Sequence, residues 1–152
     1  MLPPVVGQLA PDFALPGLEG ETIRLSDFRE LYNVYLAFYP FDFSPICSVQ
    51  LPGLQEQIDR FDRLETVVLG ISTDNPQSHR AFAAELGLEF PLLSDFNGRA
   101  VSEAYNVLRP EGFCERASFV IDKQGVVRYA TVHDIGQVPD VEQIFNILES
   151  LN

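Results

Sequence analysis

The segment that decides the fold is YNVYLAFYPFDFSPIC, residues 32–47. Its first half, residues 32–39, is aromatic and β-branched with little polarity, which predicts a central strand buried on both faces. Residues 40–44 interrupt that pattern. Ser44 and Pro45 then indicate the start of a helix, with the serine capping free backbone N–H groups and proline at the first helical position. The segment therefore predicts a buried strand, a short loop and a helix in succession.

Strands and helices alternate outward from this segment. An apolar stripe predicts that the helix after Pro45 runs past residue 58, and Asn75-Pro76 predicts the capped start of another helix that stops at Gly87. The predicted strands are residues 12–15, 22–25, 32–39, 64–72, 91–93, 116–122 and 126–132, a helical turn is expected at 26–28, and the further helices are 76–86, 99–105 and 140–151. The predicted stripe consists of Val49, Leu51, Leu54, Ile58 and Phe61.

The order of these elements predicts the fold class. Crossovers through helices imply parallel neighbouring strands, and the late hairpin adds antiparallel ones, so we expect a mixed central sheet with helices on both faces. This α/β order is that of a thioredoxin-like fold with an N-terminal β-hairpin extension. With 152 residues, of which 46% are apolar and 21% charged, the chain is expected to form one globular domain over residues 1–152.

Charge and hydropathy exclude several classes of partner. The chain has 10 basic and 22 acidic residues, a net charge of −12, which repels phosphate backbones and anionic lipid. We therefore expect no nucleic-acid and no membrane partner, and we interpret the charge as serving solubility. The N-terminal residues lack the features of a signal peptide, so a cytoplasmic location, where thiols stay reduced, is predicted.

Two cysteines, Cys47 and Cys114, and two histidines, His79 and His133, are scattered along the chain. This spacing contains no CxxC motif, and it predicts neither a metal site nor a bound cofactor. Cys47 falls at about the third position of the predicted helix, where unpaired N–H groups and the helix dipole stabilise negative charge. The thiolate is the nucleophilic form of cysteine, so Cys47 is a candidate nucleophile. The alternative from these residues alone is that Cys47 is a buried, inert apolar side chain.

Two separated motifs resemble those of the peroxiredoxins, the alkyl hydroperoxide reductase and thiol-specific antioxidant family. Pro40-x-x-x-Ser44-x-x-Cys47 resembles the active-site signature Pro-x-x-x-Thr/Ser-x-x-Cys, and RASFVID at 116–122 resembles the strand that carries the active-site arginine of the family. VGQLAPDF at residues 6–13 and LSDF at 25–28 resemble its opening segments. The resemblance covers nearly the whole chain.

The resemblance implies a thiol-dependent peroxidase (an oxidoreductase of antioxidant defence and cell redox homeostasis) that reduces hydrogen peroxide and small organic hydroperoxides without a cofactor or metal. Cys47 would be the peroxidatic cysteine, whose thiolate attacks the peroxide and becomes a sulfenic acid. Ser44 would hydrogen-bond the thiolate or the peroxide, Pro40 would shape the loop and shield the site, and Arg116 would place a positive charge beside the sulfur. Prearranged donors of this kind stabilise the charge that develops in the transition state.

Gln50 departs from the family pattern, which often has glutamate three residues after the reactive cysteine. Glutamine can accept a hydrogen bond but adds no charge, so Arg116 is expected to be held slightly less firmly. The homodimer formed by many relatives is also expected here. Phe41, Phe43 and Phe113 are expected to wall the site and to favour apolar hydroperoxides.

The return of the sulfenic acid to the thiol leaves alternatives open. Cys114 is two residues before Arg116, so in an extended segment both side chains would lie on one face and Cys114 could approach Cys47 as a resolving cysteine. A disulfide needs Cα atoms within about 7 Å. Cys114 could equally pair across a dimer, or be a spectator in a one-cysteine enzyme reduced by a small thiol or by a thioredoxin-like or glutaredoxin-like partner.

Two other functions fit the same fold. A thioredoxin-type thiol-disulfide oxidoreductase would need a CxxC pair, and Ser44 stands where its first cysteine would be. A non-enzymatic holdase module would keep its activity without Cys47.

Overall fold

The computed structural model describes residues 4–151. Its strands are β1 (Ala14–Pro16), β2 (Thr22–Arg24), β3 (Asn33–Phe38), β4 (Thr66–Ser72), β5 (Leu92–Ser94), β6 (Ala117–Ile121) and β7 (Val127–Val132). Its helices are α1 (Cys47–Glu56), α2 (Ile58–Arg63), α3 (Pro76–Leu86), α4 (Ala100–Ala104) and α5 (Val141–Ser150), with a 3-10 turn at Leu25–Phe28.

The central sheet has the strand order β5-β4-β3-β6-β7. β3 pairs in parallel with β4, which pairs in parallel with β5, whereas β6 is antiparallel to both β3 and β7. β1 and β2 form a separate antiparallel hairpin. This is the predicted thioredoxin-like fold with a hairpin extension. The register places Phe38 at the end of β3 opposite Ala117 at the start of β6, so the segments after β3 and before β6 lie side by side.

The side chains of β3 alternate between two apolar clusters because successive residues of a strand point to opposite faces. Val34, Leu36 and Phe38 belong to the first cluster, which the hairpin and α4 complete. Tyr35 and Ala37 belong to the second cluster, which contains side chains of α1, α2, α3 and α5. Every residue of β3 is buried, as the sequence predicts. None of the helices in residues 4–151 has the length and hydropathy needed to cross a membrane.

The helix after Pro45 differs from the prediction in two respects. It divides into α1 and α2 at Gln57, and Val49, assigned to the buried stripe, is 61% exposed. The predicted stripe spanned a single helix, whereas the helix is interrupted at Gln57, and the buried apolar side chains are Cys47, Leu51 and Leu54 in α1 and Phe61 in α2. The capped start of α3 is confirmed, because the Asn75 side chain accepts a hydrogen bond from the Ser78 N–H at 2.8 Å.

Candidate active site

Cys47 lies where the chain turns from β3 into α1. The Ser44 carbonyl accepts a hydrogen bond from the Ser48 N–H at 2.9 Å, and the Ser44 hydroxyl oxygen accepts a longer one from the Cys47 N–H at 3.4 Å. These bonds form an irregular turn that begins at Ser44, but the regular helix α1 begins at Cys47, with Ile46 at its N-cap. Cys47 is therefore the first residue of the helix and not the third, which is the position that the sequence predicts. The Cys47 side chain is fully buried.

Arg116 immediately precedes β6, and the pairing of β3 with β6 brings it beside the start of α1. Its side chain is only 1% exposed. Nη1 donates a hydrogen bond to Cys47 Sγ at 3.3 Å and another to Gln50 Oε1, and Nε donates to the Ile135 carbonyl at 3.1 Å. A permanent positive charge thus contacts the buried sulfur directly.

Gln50 lies one turn after Cys47 on α1 and is also buried. Because a guanidinium group only donates hydrogen bonds, the Gln50 atom facing Arg116 must be the amide oxygen. The amide nitrogen Nε2 has no hydrogen-bond partner among residues 4–151. Gln50 therefore supplies an acceptor to Arg116 without supplying negative charge.

An open cavity of about 260 Å³ lies against Arg116. Phe41 and Phe113 meet edge to face in its wall, with their ring centroids 5.4 Å apart. Phe43 does not line this cavity; it packs on Phe82 instead, at 5.0 Å between ring centroids. The expectation that Phe43 walls the site is therefore wrong. The lining is mainly apolar and consists of Pro40, Phe41, Ser44, Pro45, Ile46, Phe113, Arg116 and Ile135.

Cys114 is also fully buried, but it belongs to the first apolar cluster whereas Cys47 belongs to the second. The expectation that Cys114 and Arg116 share a face is wrong. Residue 114 forms only an isolated bridge to Leu108 outside β6, so the alternation of a regular strand does not extend to it. Hydrogen bonds bring Ser44, Gln50 and Arg116 together at Cys47, and Pro40 lines the adjoining cavity with Ser44 and Arg116, whereas Cys114 is not brought to them.

The surroundings of Cys114 keep its thiol protonated. Ser102 donates its hydroxyl proton to Asp95 at 2.6 Å, so the Cys114 thiol, 3.1 Å from the same hydroxyl oxygen, must donate to it. Burial raises the pKa of Cys114 to about 12, and the charge of Asp95 adds to this effect. Cys114 is therefore a poor nucleophile in this conformation.

A buried polar cluster that the sequence analysis missed holds the loop before Cys47. Asp42 accepts hydrogen bonds from the Tyr39 hydroxyl at 2.7 Å and the Ser78 hydroxyl at 2.8 Å, and its carboxyl also lies 2.8 Å from His79 Nδ1. The Asp42 N–H donates to Asp74 at 2.8 Å. Asp42 therefore fixes the loop to α3 and to the segment that follows β4.

The other groups of this cluster are also constrained by burial. His79 Nε2 lies 3.0 Å from the Leu93 carbonyl, which only accepts, so Nε2 carries a proton. Burial raises the pKa of Asp74, and the neighbouring carboxyl of Asp42 raises it further. One signal was present in the sequence: Asp42 is the single charged residue between two phenylalanines in an otherwise apolar approach to Cys47.

The loop also contains a strained residue. Phe43 has a φ of 66°, in the left-handed region that costs a residue with a side chain about 1–2 kcal/mol. The hydrogen bonds of Asp42 on one side and the turn that begins at Ser44 on the other hold this conformation. It bends the chain sharply between the anchored Asp42 and the turn before α1.

Comparison with known proteins agrees with this geometry. Residues 6–130 match the model of the AhpC/TSA family. A chloroplastic 2-cysteine peroxiredoxin of Chattonella marina var. antiqua is 37% identical over 156 residues, which cover 96% of this chain and 80% of that protein. Alkyl hydroperoxide reductase E of Mycobacterium tuberculosis is 38% identical over 138 residues, 89% of this chain and 90% of that protein.

A solved structure gives the same relationship in three dimensions. The mitochondrial 2-Cys peroxiredoxin of Plasmodium falciparum superimposes with a TM-score of 0.86 at 33% identity, covering 96% of this chain and 93% of that one. The family match, the relatives and the buried pair of Cys47 and Arg116 agree with one another. The chain belongs to the AhpC/TSA family of peroxiredoxins and is a thiol-dependent peroxidase.

Proposed function

We propose that Cys47 is the peroxidatic cysteine and that the chain reduces hydrogen peroxide and small organic hydroperoxides. The observation that carries this proposal is the 3.3 Å contact between Arg116 Nη1 and Cys47 Sγ, with both side chains buried. A buried guanidinium stabilises the thiolate over the thiol, and the thiolate is the form that attacks peroxide.

The reaction at this site balances as a two-electron transfer. The Cys47 thiolate attacks one peroxide oxygen, the S–O bond forms as the O–O bond breaks, and the departing alkoxide or hydroxide takes a proton from solvent. Arg116 and the N–H groups at the start of α1 stabilise the negative charge that spreads over sulfur and the two oxygens. The Ser44 oxygen accepts from the Cys47 N–H, so its hydroxyl proton is left to bind the thiolate or the peroxide. Pro40, in the cavity wall, limits access of water.

The apolar cavity supports organic hydroperoxides as substrates. Phe41, Ile46, Phe113 and Ile135 offer surface to an alkyl group, and burial of each methylene is worth about 0.8 kcal/mol. A hydroperoxide that buries two methylenes is therefore expected to react about tenfold faster than hydrogen peroxide. Equal rate constants for tert-butyl hydroperoxide, cumene hydroperoxide and hydrogen peroxide would contradict this preference.

The sulfenic acid at Cys47 is proposed to be reduced by an external thiol. Cys114 is buried in the other apolar cluster and its thiol donates to Ser102, which supports the one-cysteine alternative. The reductant is a low-molecular-weight thiol or a thioredoxin-like or glutaredoxin-like protein, whose thiolate attacks the Cys47 sulfur and forms a mixed disulfide with loss of water.

The cellular location and the oligomeric state of the protein are each proposed from a single observation. Two unpaired cysteines support action in a reducing compartment such as the cytoplasm, which fractionation of the source cells would test. Phe41 and Phe43 are 43% and 51% exposed beside the site, which supports a homodimer that covers them. A purely monomeric sedimentation profile would contradict the dimer.

The decisive experiment measures peroxide consumption by the reduced protein in a single turnover. Wild type and Cys114→Ser are expected to consume one equivalent of hydrogen peroxide, and Cys47→Ser none. Cys114→Ser is the matched control, because it makes the same atomic change in the other buried cysteine. Full consumption by Cys47→Ser would overturn the assignment of Cys47.

A further inference from the structure

Arg116 is a buried cation without a carboxylate partner. Within the described part of the chain, four other cations pair with a carboxylate within 4.0 Å, and each of them is partly exposed to solvent. They are Arg60, Arg109, Lys123 and Arg128. Arg116 is 1% exposed and forms no such pair. Its partners are one carbonyl, one amide oxygen and one sulfur.

A buried charge that lacks a compensating charge is strongly destabilising. Of the three groups that accept hydrogen bonds from Arg116, only the Cys47 sulfur can become an anion. The Gln50 amide oxygen and the Ile135 carbonyl contribute dipoles and no net charge. The Cys47 thiolate is thus the counter-ion that this site can provide for Arg116.

We propose that Gln50 is a positioning residue that leaves the Cys47 thiolate as the sole counter-ion of Arg116, so that the buried site is neutral when reduced and cationic when Cys47 is a sulfenic acid. This inference rests on the proposed role of Cys47. A carboxylate in place of Gln50 would share the charge of Arg116 and weaken its hold on the thiolate. With Gln50 the full charge of Arg116 acts on the sulfur.

Among the described residues, two buried tyrosines and one histidine near Cys47 do not supply an anion at neutral pH. Burial raises the pKa of Tyr35 to about 12 and raises the pKa of Tyr39 well above its usual value, so both phenols stay neutral. His133 is half-buried beside Arg116. Burial and the charge of Arg116 lower its pKa, so its imidazole is neutral at pH 7.

The carboxyl groups of Asp42, after β3, and Asp74, after β4, have other hydrogen-bond partners. Asp42 binds the hydroxyl groups of Tyr39 and Ser78 and contacts His79, and Asp74 accepts from the Asp42 N–H and from a neighbouring hydroxyl group. The first turn of α1 contains no acidic residue. Oxidation of Cys47 to the uncharged sulfenic acid therefore removes the negative charge that faces Arg116. The first external thiolate forms a neutral mixed disulfide and releases hydroxide, which is protonated to water. A second thiolate that attacks the outer sulfur of this disulfide then releases Cys47 as the anion.

The first test is the titration of the Cys47 thiolate, followed by its absorbance near 240 nm and by the pH profile of the reaction with hydrogen peroxide. Cys114 does not interfere, because its pKa of about 12 lies above the range measured. Gln50→Glu is expected to move both midpoints upward by about one pH unit or more. Gln50→Met is the matched control, which removes the acceptor without adding charge; it is expected to slow the plateau rate and to leave the midpoint near that of wild type.

Unchanged midpoints in a folded Gln50→Glu variant would overturn the inference while leaving the role of Cys47 intact. A wild-type protein whose Cys47 does not react with peroxide would instead overturn the proposed function. The two failures are therefore distinguishable.

A second test needs no activity and no change at Gln50. Cys47→Asp and Cys47→Asn place isosteric side chains, one charged and one neutral, beside Arg116. The aspartate variant is expected to melt several degrees higher than the asparagine variant at pH 7, and to lose this advantage as the pH falls below about 4. Equal melting temperatures, or a lower one for the aspartate variant, would show that Arg116 does not require an anion at position 47.

Discussion

Replacement of Cys114 by serine is expected to leave the oxidation chemistry of the protein unchanged. The Cys114 thiol is fully buried and hydrogen-bonded to Ser102. An ordinary thiol with a pKa near 8.5 is about 3% thiolate at pH 7. With a pKa of about 12, Cys114 is thiolate in roughly one molecule in 10⁵, which is about 3,000-fold less.

Intact-protein mass measures this directly. Reduced wild type and Cys114→Ser receive one equivalent of hydrogen peroxide in the presence of a sulfenic-acid trap, and both are expected to gain one trap adduct at Cys47. In a parallel assay, iodoacetamide under native conditions is expected to label Cys114 at least about 1,000-fold more slowly than it labels Cys114 in the denatured chain, following the thiolate fraction.

The refuting result is specific. If wild type loses two hydrogens and escapes the trap, while Cys114→Ser is trapped, then Cys114 resolves Cys47. The reasoning from burial would then have failed, because Cys114 would have left the first apolar cluster and crossed to Cys47 within the lifetime of the sulfenic acid.

Three further outcomes follow from the contacts around the site. Arg116→Met is expected to slow the single-turnover reaction with hydrogen peroxide about 10²–10³-fold, because one transition-state donor is lost; a change below about threefold would contradict its role. Asp42→Asn leaves one acceptor oxygen where two are used, so chemical denaturation should show a loss of roughly 1–3 kcal/mol in the free energy of unfolding, and an unchanged midpoint would contradict the anchoring role. The lowered pKa of His133 stabilises the fold above the unfolded pKa of about 6.5, and this contribution is lost as the pH falls through the folded pKa. Melting temperatures of His133→Gln should therefore fall less than those of wild type between pH 7 and pH 5, and parallel curves would contradict it.

The sequence predicted the site well where the signals are local. A run of apolar and aromatic residues marks β3, and Ser44-Pro45 marks the start of α1, so these residues alone place Cys47 at the third helical position. The hydrogen bonds of Ser44 to Ser48 and Cys47 confirm a turn that begins at Ser44, although the regular helix begins two residues later than predicted, at Cys47. Such predictions succeed because each depends on residues only a few positions apart.

The predictions that failed depend on contacts between distant segments. The partners of Asp42 after β4 and on α3 are more than 30 positions away, so the sequence showed a charged residue in an apolar loop without showing what binds it. The face of Cys114 was predicted from strand alternation, but residue 114 precedes β6 and forms an isolated bridge. A two-residue spacing indicates a shared face only within a regular strand.

The two cysteines show why reactivity follows surroundings rather than burial alone. Both side chains are fully buried, and burial by itself favours the neutral thiol. At Cys114 the charge of the neighbouring Asp95 acts in the same direction as burial and raises the pKa of the thiol. At Cys47 the neighbouring groups act in the opposite direction, because the guanidinium of Arg116 and the free end of α1 both favour an anion. The reactivity of Cys47 therefore depends on the buried positive charge of Arg116 rather than on exposure of the thiol. Because the side chain of Gln50 is neutral, that charge remains available to stabilise the Cys47 thiolate.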